Sequence, residues 1–270
     1  MTTQLAPATS LLHRGRTLPT LAMAEAARIL RHPVYLLLLA YFLLIGGVET
    51  AQLGPPPRAA VAEMLTYLGV MFVGPATFFA ANLVASSARR ARAESQLDAA
   101  PTGAQARTLA TCLGLLGPTA VATVLAVVLW VVEHAGPDLP QAQAPAELAV
   151  IPLCTLGGGL VGVAAARWLP WPGAPMLVMF VLIAWVVFSI VNRGHPWWTW
   201  SAPWSLSPAF HDSAALRGGS QVWHAAYLAS LCLLASTAAL LRFRPHRRVL
   251  LALGAVLVVS ALVAAWAQLP

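Results

Sequence analysis

Seven stretches of this sequence, each 17 to 25 residues long, contain no Asp, Glu, Lys or Arg. They cover residues 32–48, 64–88, 108–132, 148–166, 168–192, 218–241 and 249–270. An α-helix rises about 1.5 Å per residue, so about 20 residues cross a hydrocarbon core of roughly 30 Å. Because 59% of the 270 residues are hydrophobic and only 9% are charged, too few polar side chains remain to cover a water-exposed surface. The pattern predicts an all-α, polytopic integral membrane protein.

An eighth charge-free interval, residues 194–211, is excluded as a span. Pro196, Pro203 and Pro208 would leave backbone groups unpaired in lipid. We therefore expect one transmembrane domain over residues 18–270. Its seven spans are predicted at about 34–50, 64–87, 108–132, 148–166, 174–192, 221–241 and 249–268.

All sixteen basic residues are arginines, and their distribution predicts the orientation. With the N-terminus inside, thirteen arginines fall in cytoplasmic segments, and only Arg58, Arg193 and Arg217 fall outside. Cytoplasmic loops of membrane proteins carry an excess of basic residues. We expect a multi-pass protein of the cell inner (plasma) membrane, with residues 1–17 as a cytoplasmic tail and the C-terminus outside.

Missing residue types exclude several kinds of chemistry. The chain has no lysine, so it cannot contain a P-loop or a Schiff-base lysine. No ionisable residue lies in the middle of a predicted span, which argues against ion coupling. The arginines occur in short clusters between apolar runs, which favours a role in orientation over nucleic-acid binding. We expect no catalytic residues, no metal site and no cofactor in this chain.

Small residues and prolines predict features of individual spans. Gly158 and Gly162 form a GxxxG motif on the fourth span, which lets another helix approach closely. Gly74-Pro75 and Gly117-Pro118 predict kinks in the second and third spans.

Residues 18–33 predict an amphipathic helix ahead of the first span. Apolar residues recur at helical spacing, and the remaining arc carries Glu25, Arg28 and Arg31. This fits a helix on the inner leaflet that ends at His32-Pro33. The alternative is an ordinary solvated leader.

The loop at residues 88–107 predicts a short charged helix. Arg90 and Glu94 are spaced i,i+4, as are Glu94 and Asp98, and Leu97 lies beside them. Pro101-Thr102-Gly103 would end the helix. The alternative is a solvated loop.

Two segments carry a family resemblance. AEAARILRHPVYLLLL, followed by FFAANLVASSARRARAESQLDAAPTGAQARTLA, resembles the membrane subunit of type-two ABC exporters, especially arginine-rich versions from actinobacteria. The resemblance covers about the first 135 residues. Family members commonly have six spans with both termini inside, so the seventh predicted span is a departure.

The resemblance implies a permease subunit that exports a substrate with energy from a separate cytosolic ATPase subunit, which binds ATP and Mg. It implies a coupling helix at about residues 91–100 that contacts the ATPase, and Glu94, Leu97, Asp98 and Pro101 match the family pattern. It also implies a second permease chain, identical or different.

The predicted outer loop, residues 193–220, is rich in tryptophan: Trp197, Trp198, Trp200 and Trp204. Tryptophan favours the membrane interface, and the resemblance implies short re-entrant helices here. A plain aromatic belt is the alternative. Two other functions stay open: a membrane assembly or partner-binding protein that uses this face, and a haem- or copper-handling protein that uses outer-face histidines.

Overall fold

A computed structural model describes residues 9–52, 69–93, 102–134, 145–192, 195–201, 220–243 and 246–269. Within these residues the chain is all-α, and no strand is present. The helices, in chain order, are α1 (Thr9–Leu30), α2 (Pro33–Gln52), a π-helical segment (Gly69–Val73), α3 (Gly74–Ala85), α4 (Ser87–Arg90), α5 (Ala104–Gly114), α6 (Leu116–His134), α7 (Pro145–Leu148), α8 (Val150–Trp168), α9 (Ala174–Val191), α10 (Pro196–Ser201), α11 (Gln221–Leu241) and α12 (Arg247–Ala267).

Four helices in the described part of the chain are long and apolar enough to cross a membrane. They are Ala104–Val128, which joins α5 to most of α6, and α8, α11 and α12. The bent pair Thr17–Leu30 and Pro33–Val48 makes a fifth if it counts as one span. Gly69–Ala85 and Ala174–Ser189, at the predicted second and fifth spans, are shorter apolar helices. The count of seven spans therefore stays a prediction.

The outward faces of α9 and α12 are apolar. Phe180 on α9 is 68% exposed, and Val256 on α12 is 65% exposed. Exposed apolar surface of this kind is unfavourable in water, so these faces fit lipid as the surrounding solvent.

α1 and α2 meet at an angle of 54°, at the predicted break. Pro33 begins α2, and a proline disfavours helical backbone in the residue before it. The Val34 N–H donates to Nδ1 of His32 at 3.3 Å. This bond satisfies one of the amides at the start of α2 that have no partner within the helix. Burial, and then the nearby charge of Arg90, lower the pKa of His32, which favours the neutral ring that this hydrogen bond requires.

α3 and α8 approach each other so closely that their backbones are in contact. A Cβ atom on Gly158 would lie 2.5 Å from the carbonyl oxygen of Gly74, and one on Gly162 would overlap the carbonyl oxygen of Phe78. The side-chain amide of Asn82 donates to the carbonyl of Gly162 at 3.0 Å. The close approach predicted from the GxxxG motif is confirmed, and its partner is the helix that begins at Gly74.

Both predicted kink sites lie at or near helix breaks. The π-helical segment ends at Val73, directly before Gly74-Pro75. Leu115 separates α5 from α6, two residues before Gly117-Pro118.

α11 and α12 form an antiparallel hairpin. The connection includes His246, whose φ of 59° is left-handed. At the other end of the pair, the Ser220 N–H donates to the carbonyl of Gln268 at 3.0 Å. α12 therefore runs back along the full length of α11.

We expect Gly158→Ala to destabilise the protein by about 1–3 kcal/mol, because the new methyl group would overlap the backbone of Gly74, which cannot move away as a side chain can. Gly254→Ala is the matched control. Its Cβ would lie 3.8 Å from Cγ2 of Thr237, an ordinary contact, and alanine favours a helix by about 1 kcal/mol over glycine. Unfolding in detergent, followed by circular dichroism, measures both variants. Equal stabilities would contradict a backbone contact at Gly158.

Candidate functional site at the arginine end

One end of the helix bundle holds an open cavity of about 940 Å³. Residues from α1, the end of α3, α4, α5, and the C-terminal ends of α8 and α11 line it. Its lining contains five arginines, namely Arg28, Arg89, Arg107, Arg167 and Arg242. Glu25 is the one acidic residue among the described residues of this lining. All five arginines belong to the thirteen that the sequence assigns to one side of the membrane.

Arg28 connects α1 to α4. One of its guanidinium nitrogens, Nη1, donates to Oε1 of Glu25 at 2.8 Å, and the other, Nη2, donates to Oγ of Ser87 at 3.0 Å. The Arg28 side chain is half-exposed, and the Glu25 side chain is more deeply buried. Two residues of the predicted interfacial helix thus contact each other and the segment that follows α3.

Arg89 and Arg107 fix the neighbouring helix ends. Nη2 of Arg89 donates to the carbonyl of Ala166 at 2.9 Å, near the C-terminus of α8. Carbonyl groups there have no partner within the helix, and a cation is favourable beside them. Arg107 donates to the carbonyl of Thr102, just before α5.

Arg242 lies over an aromatic ring. Its guanidinium carbon is 5.9 Å from the ring centroid of Trp168, a cation–π distance. The Trp168 indole N–H donates to the carbonyl of Ala238 at 2.8 Å. The ends of α8 and α11 are therefore joined at the cavity edge.

Two glycines position α1 against α5 and α6. A Cβ on Gly114 would lie 2.9 Å from the backbone nitrogen of Ala26, and one on Gly117 would lie 2.9 Å from Cβ of Ala26. α1 can pack this closely because neither glycine carries a side chain. Glu25 also faces Gly114, whereas Arg31 is exposed and does not line the cavity.

The predicted coupling residues cannot be placed in this geometry. Glu94, Leu97, Asp98 and Pro101 lie outside the described residues. α4 ends shortly before them, and α5 begins shortly after them. Both helices line the cavity, so the described residues on either side of the predicted coupling segment lie at the cavity.

The predicted outer loop contributes a short helix, α10. Trp198 makes edge-to-face contacts with Phe188, at 5.2 Å between ring centroids, and with Trp185, at 6.0 Å. Trp200 is fully buried, and Trp197 is 42% exposed. Trp204 lies outside the described residues. Two of these tryptophans are thus packed against protein.

Trp200 belongs to a buried polar cluster with His224 and Gln268. The Gln268 amide nitrogen donates to the Trp200 carbonyl at 2.9 Å, so its oxygen faces the ring nitrogen Nδ1 of His224, also at 2.9 Å. That oxygen can only accept, so Nδ1 carries the proton. Sequence reasoning missed this cluster, although an amide at the end of an apolar C-terminal stretch was a visible signal.

The described residues hold no group of three or more His, Cys, Asp or Glu that could bind a metal ion. Cys112, Cys154 and Cys232 are buried free thiols. The Cys232 sulfur contacts the carbonyl of Leu153 at 3.4 Å, so it packs between α11 and α8.

Comparison with protein-family models, with curated proteins and with solved structures gives no match to the chain.

We expect Gln268→Leu to lower stability by about 1–3 kcal/mol, because it leaves the Nδ1–H of His224 buried without an acceptor. Adding His224→Phe to Gln268→Leu removes that unsatisfied donor. The double variant should therefore lose less than the sum of the two single variants. Detergent unfolding, followed by tryptophan fluorescence, compares all four proteins. Strictly additive losses would show that the two side chains do not depend on each other.

Proposed function

We propose that this chain is the membrane-spanning permease subunit of an ABC exporter, and that a separate cytosolic ATPase subunit supplies the energy. The observation that supports this most is the position of α1. It bonds to Ser87 on one side of the predicted coupling segment and packs on Gly114 on the other side. Both flanks of the segment are therefore in contact with the predicted interfacial helix.

This arrangement can transmit a movement of the coupling segment. Chain continuity joins residues 94–101 to α4 and α5. α4 contacts α1 through the bond from Arg28 to Ser87, and α5 packs along α1. α1 in turn continues through the bend at His32 into α2. A displacement of the segment by an ATPase would shift these helices together, as packed helices slide in shear motions.

The composition supports ATP binding by a separate subunit. Without lysine the chain has no P-loop, so ATP and Mg bind to the partner. A second permease chain, identical or different, completes the transporter, and the substrate passes between the two membrane halves. The apolar outward faces of α9 and α12 fit contact with lipid or with that second chain.

We further propose seven spans in the plasma membrane, with the N-terminus in the cytoplasm and the C-terminus outside. The path of α12 supports this. It begins beside the arginines at 242–248, and its end contacts Ser220 and Trp200 near the start of α11. The helix thus covers the distance between the two ends of the bundle.

A topology test uses reporters fused at the connection near residues 244–245 and after residue 270. We expect the first to be active only in the cytoplasm and the second only outside, because the arginines oppose translocation. The first fusion is the internal control. A C-terminal reporter that is active only in the cytoplasm would mean that α12 lies on the membrane or re-enters it.

A second test concerns the coupling segment. The wild-type chain should co-purify with an ATPase, which mass spectrometry identifies. Leu97→Ala should then reduce its recovery strongly, because truncating a buried interface anchor costs about 2 kcal/mol or more. Asp98→Ala should reduce it less, since exposed ion pairs contribute about 0–1 kcal/mol. Leu97→Asp should reduce it most.

Leu113→Ala is the matched control for Leu97→Ala, because Leu113 is an exposed leucine on α5. It should leave ATPase recovery unchanged. Equal recovery with all four variants would contradict a coupling role for residues 91–100.

The partner-binding alternative has weaker support. It needs an exposed tryptophan face, but among the described tryptophans of α10 only Trp197 is exposed, whereas Trp200 is buried and Trp198 packs on α9. The haem or copper alternative needs histidines that converge. His195 is exposed, but His224 is buried against Gln268, and the described residues hold no group of three or more His, Cys, Asp or Glu that could bind a metal ion.

A further inference from the structure

We propose that the arginine-lined cavity binds the phosphate-bearing headgroup of an anionic amphiphile. The lining of the cavity is rich in positive charge. Five arginines and one glutamate line the cavity within the described residues. The predicted coupling segment adds only two acids, Glu94 and Asp98. Even with both of them at the cavity, five positive charges face three negative ones, so an anion is attracted.

The hydrogen-bond donors of the lining suit phosphate. Guanidinium groups present planar, fixed N–H donors that match phosphate oxygens. The N-terminus of α5 adds to them, because Thr102 and Ala104 also line the cavity. Its N-cap, Gly103, offers no capping side chain, and the first amides of a helix favour anions.

The apolar part of the lining favours an amphiphile over a free anion. The lining also contains apolar side chains, among them Leu21, Val84 and Phe243. The half-exposed ring of Trp168 lies beside Arg242 at the cavity edge. A lipid places its headgroup on the arginines and its glycerol and acyl carbons on these apolar groups. Basic pockets of this kind between helices accept anionic lipid headgroups.

The cavity is large enough and open enough for such a ligand. Its volume of about 940 Å³ is near the upper end of the range for small-molecule sites, about 300–1,000 Å³. α1 forms one wall, and under the proposed topology α1 lies at the cytoplasmic leaflet. A lipid of that leaflet would therefore lie next to the cavity.

This inference does not require an ATPase, so it is tested on the purified chain alone. Delipidated protein in detergent is titrated with phosphatidylglycerol, with phosphatidylcholine and with inorganic phosphate, and native mass spectrometry measures the bound fraction. We expect phosphatidylglycerol to bind at least about tenfold tighter than phosphatidylcholine. Inorganic phosphate should compete only weakly.

Two pairs of variants locate the binding. The double variant Arg28→Gln/Arg242→Gln should reduce the affinity for phosphatidylglycerol at least about tenfold. Arg31→Gln with Arg247→Gln removes the same charge from α1 and from the α11–α12 end, but neither residue lines the cavity. This control should change the affinity by less than about twofold. If the variant that contains Arg28→Gln does not fold, the single variant Arg242→Gln is compared with the single variant Arg247→Gln.

Three outcomes would overturn the proposal. Equal losses in the two pairs would assign the affinity to diffuse surface charge. Equal affinities for phosphatidylglycerol and phosphatidylcholine would remove the role of the anionic headgroup. Inorganic phosphate that binds as tightly as phosphatidylglycerol would identify a free-anion site instead.

Discussion

α3 and α8 pack backbone against backbone at Gly158 and Gly162. In lipid, apolar side chains gain little by leaving their surroundings, so helices associate through close packing and interhelical hydrogen bonds. Gly158 and Gly162 remove the side chains that would separate the two backbones, and the Asn82 amide crosses the gap. α8 also contacts α6 and α11. Its contact with α3 therefore sets the position of most of the bundle.

The same use of glycine fixes the helix that precedes the first predicted span. Gly114 and Gly117 let the backbone of α1 lie against α5 and α6, and the bond from Arg28 to Ser87 ties it to α4. An amphipathic helix held only by lipid could rotate or lift away. Here α1 forms one wall of the arginine-lined cavity, because three other helices hold it at defined points.

Local sequence patterns predicted the helices better than they predicted the sites. Charge-free runs indicated apolar helices, His32-Pro33 located a break, and the GxxxG motif predicted a close contact. The convergence of arginines from separate segments could not be predicted, because it depends on which helices pack together. The burial of Trp200 was missed for the same reason. Tryptophan favours the interface, but Trp200 is buried because its ring packs against His224 of α11 and its carbonyl accepts from the Gln268 amide at the end of α12.

Polar groups are buried at one end of the bundle and lie in an open cavity at the other. At one end the Gln268 amide is buried and joins the Trp200 carbonyl to Nδ1 of His224. At the other end the charged arginines stay in an open cavity, because burying a guanidinium without compensation costs several kcal/mol, of order 5. A buried hydrogen-bonded chain of this kind can hold helix ends in one arrangement. An open charged cavity keeps its solvent and can exchange ligands. The bonded network therefore holds α10, α11 and α12 together at one end, while the arginine end keeps an open cavity between its helices.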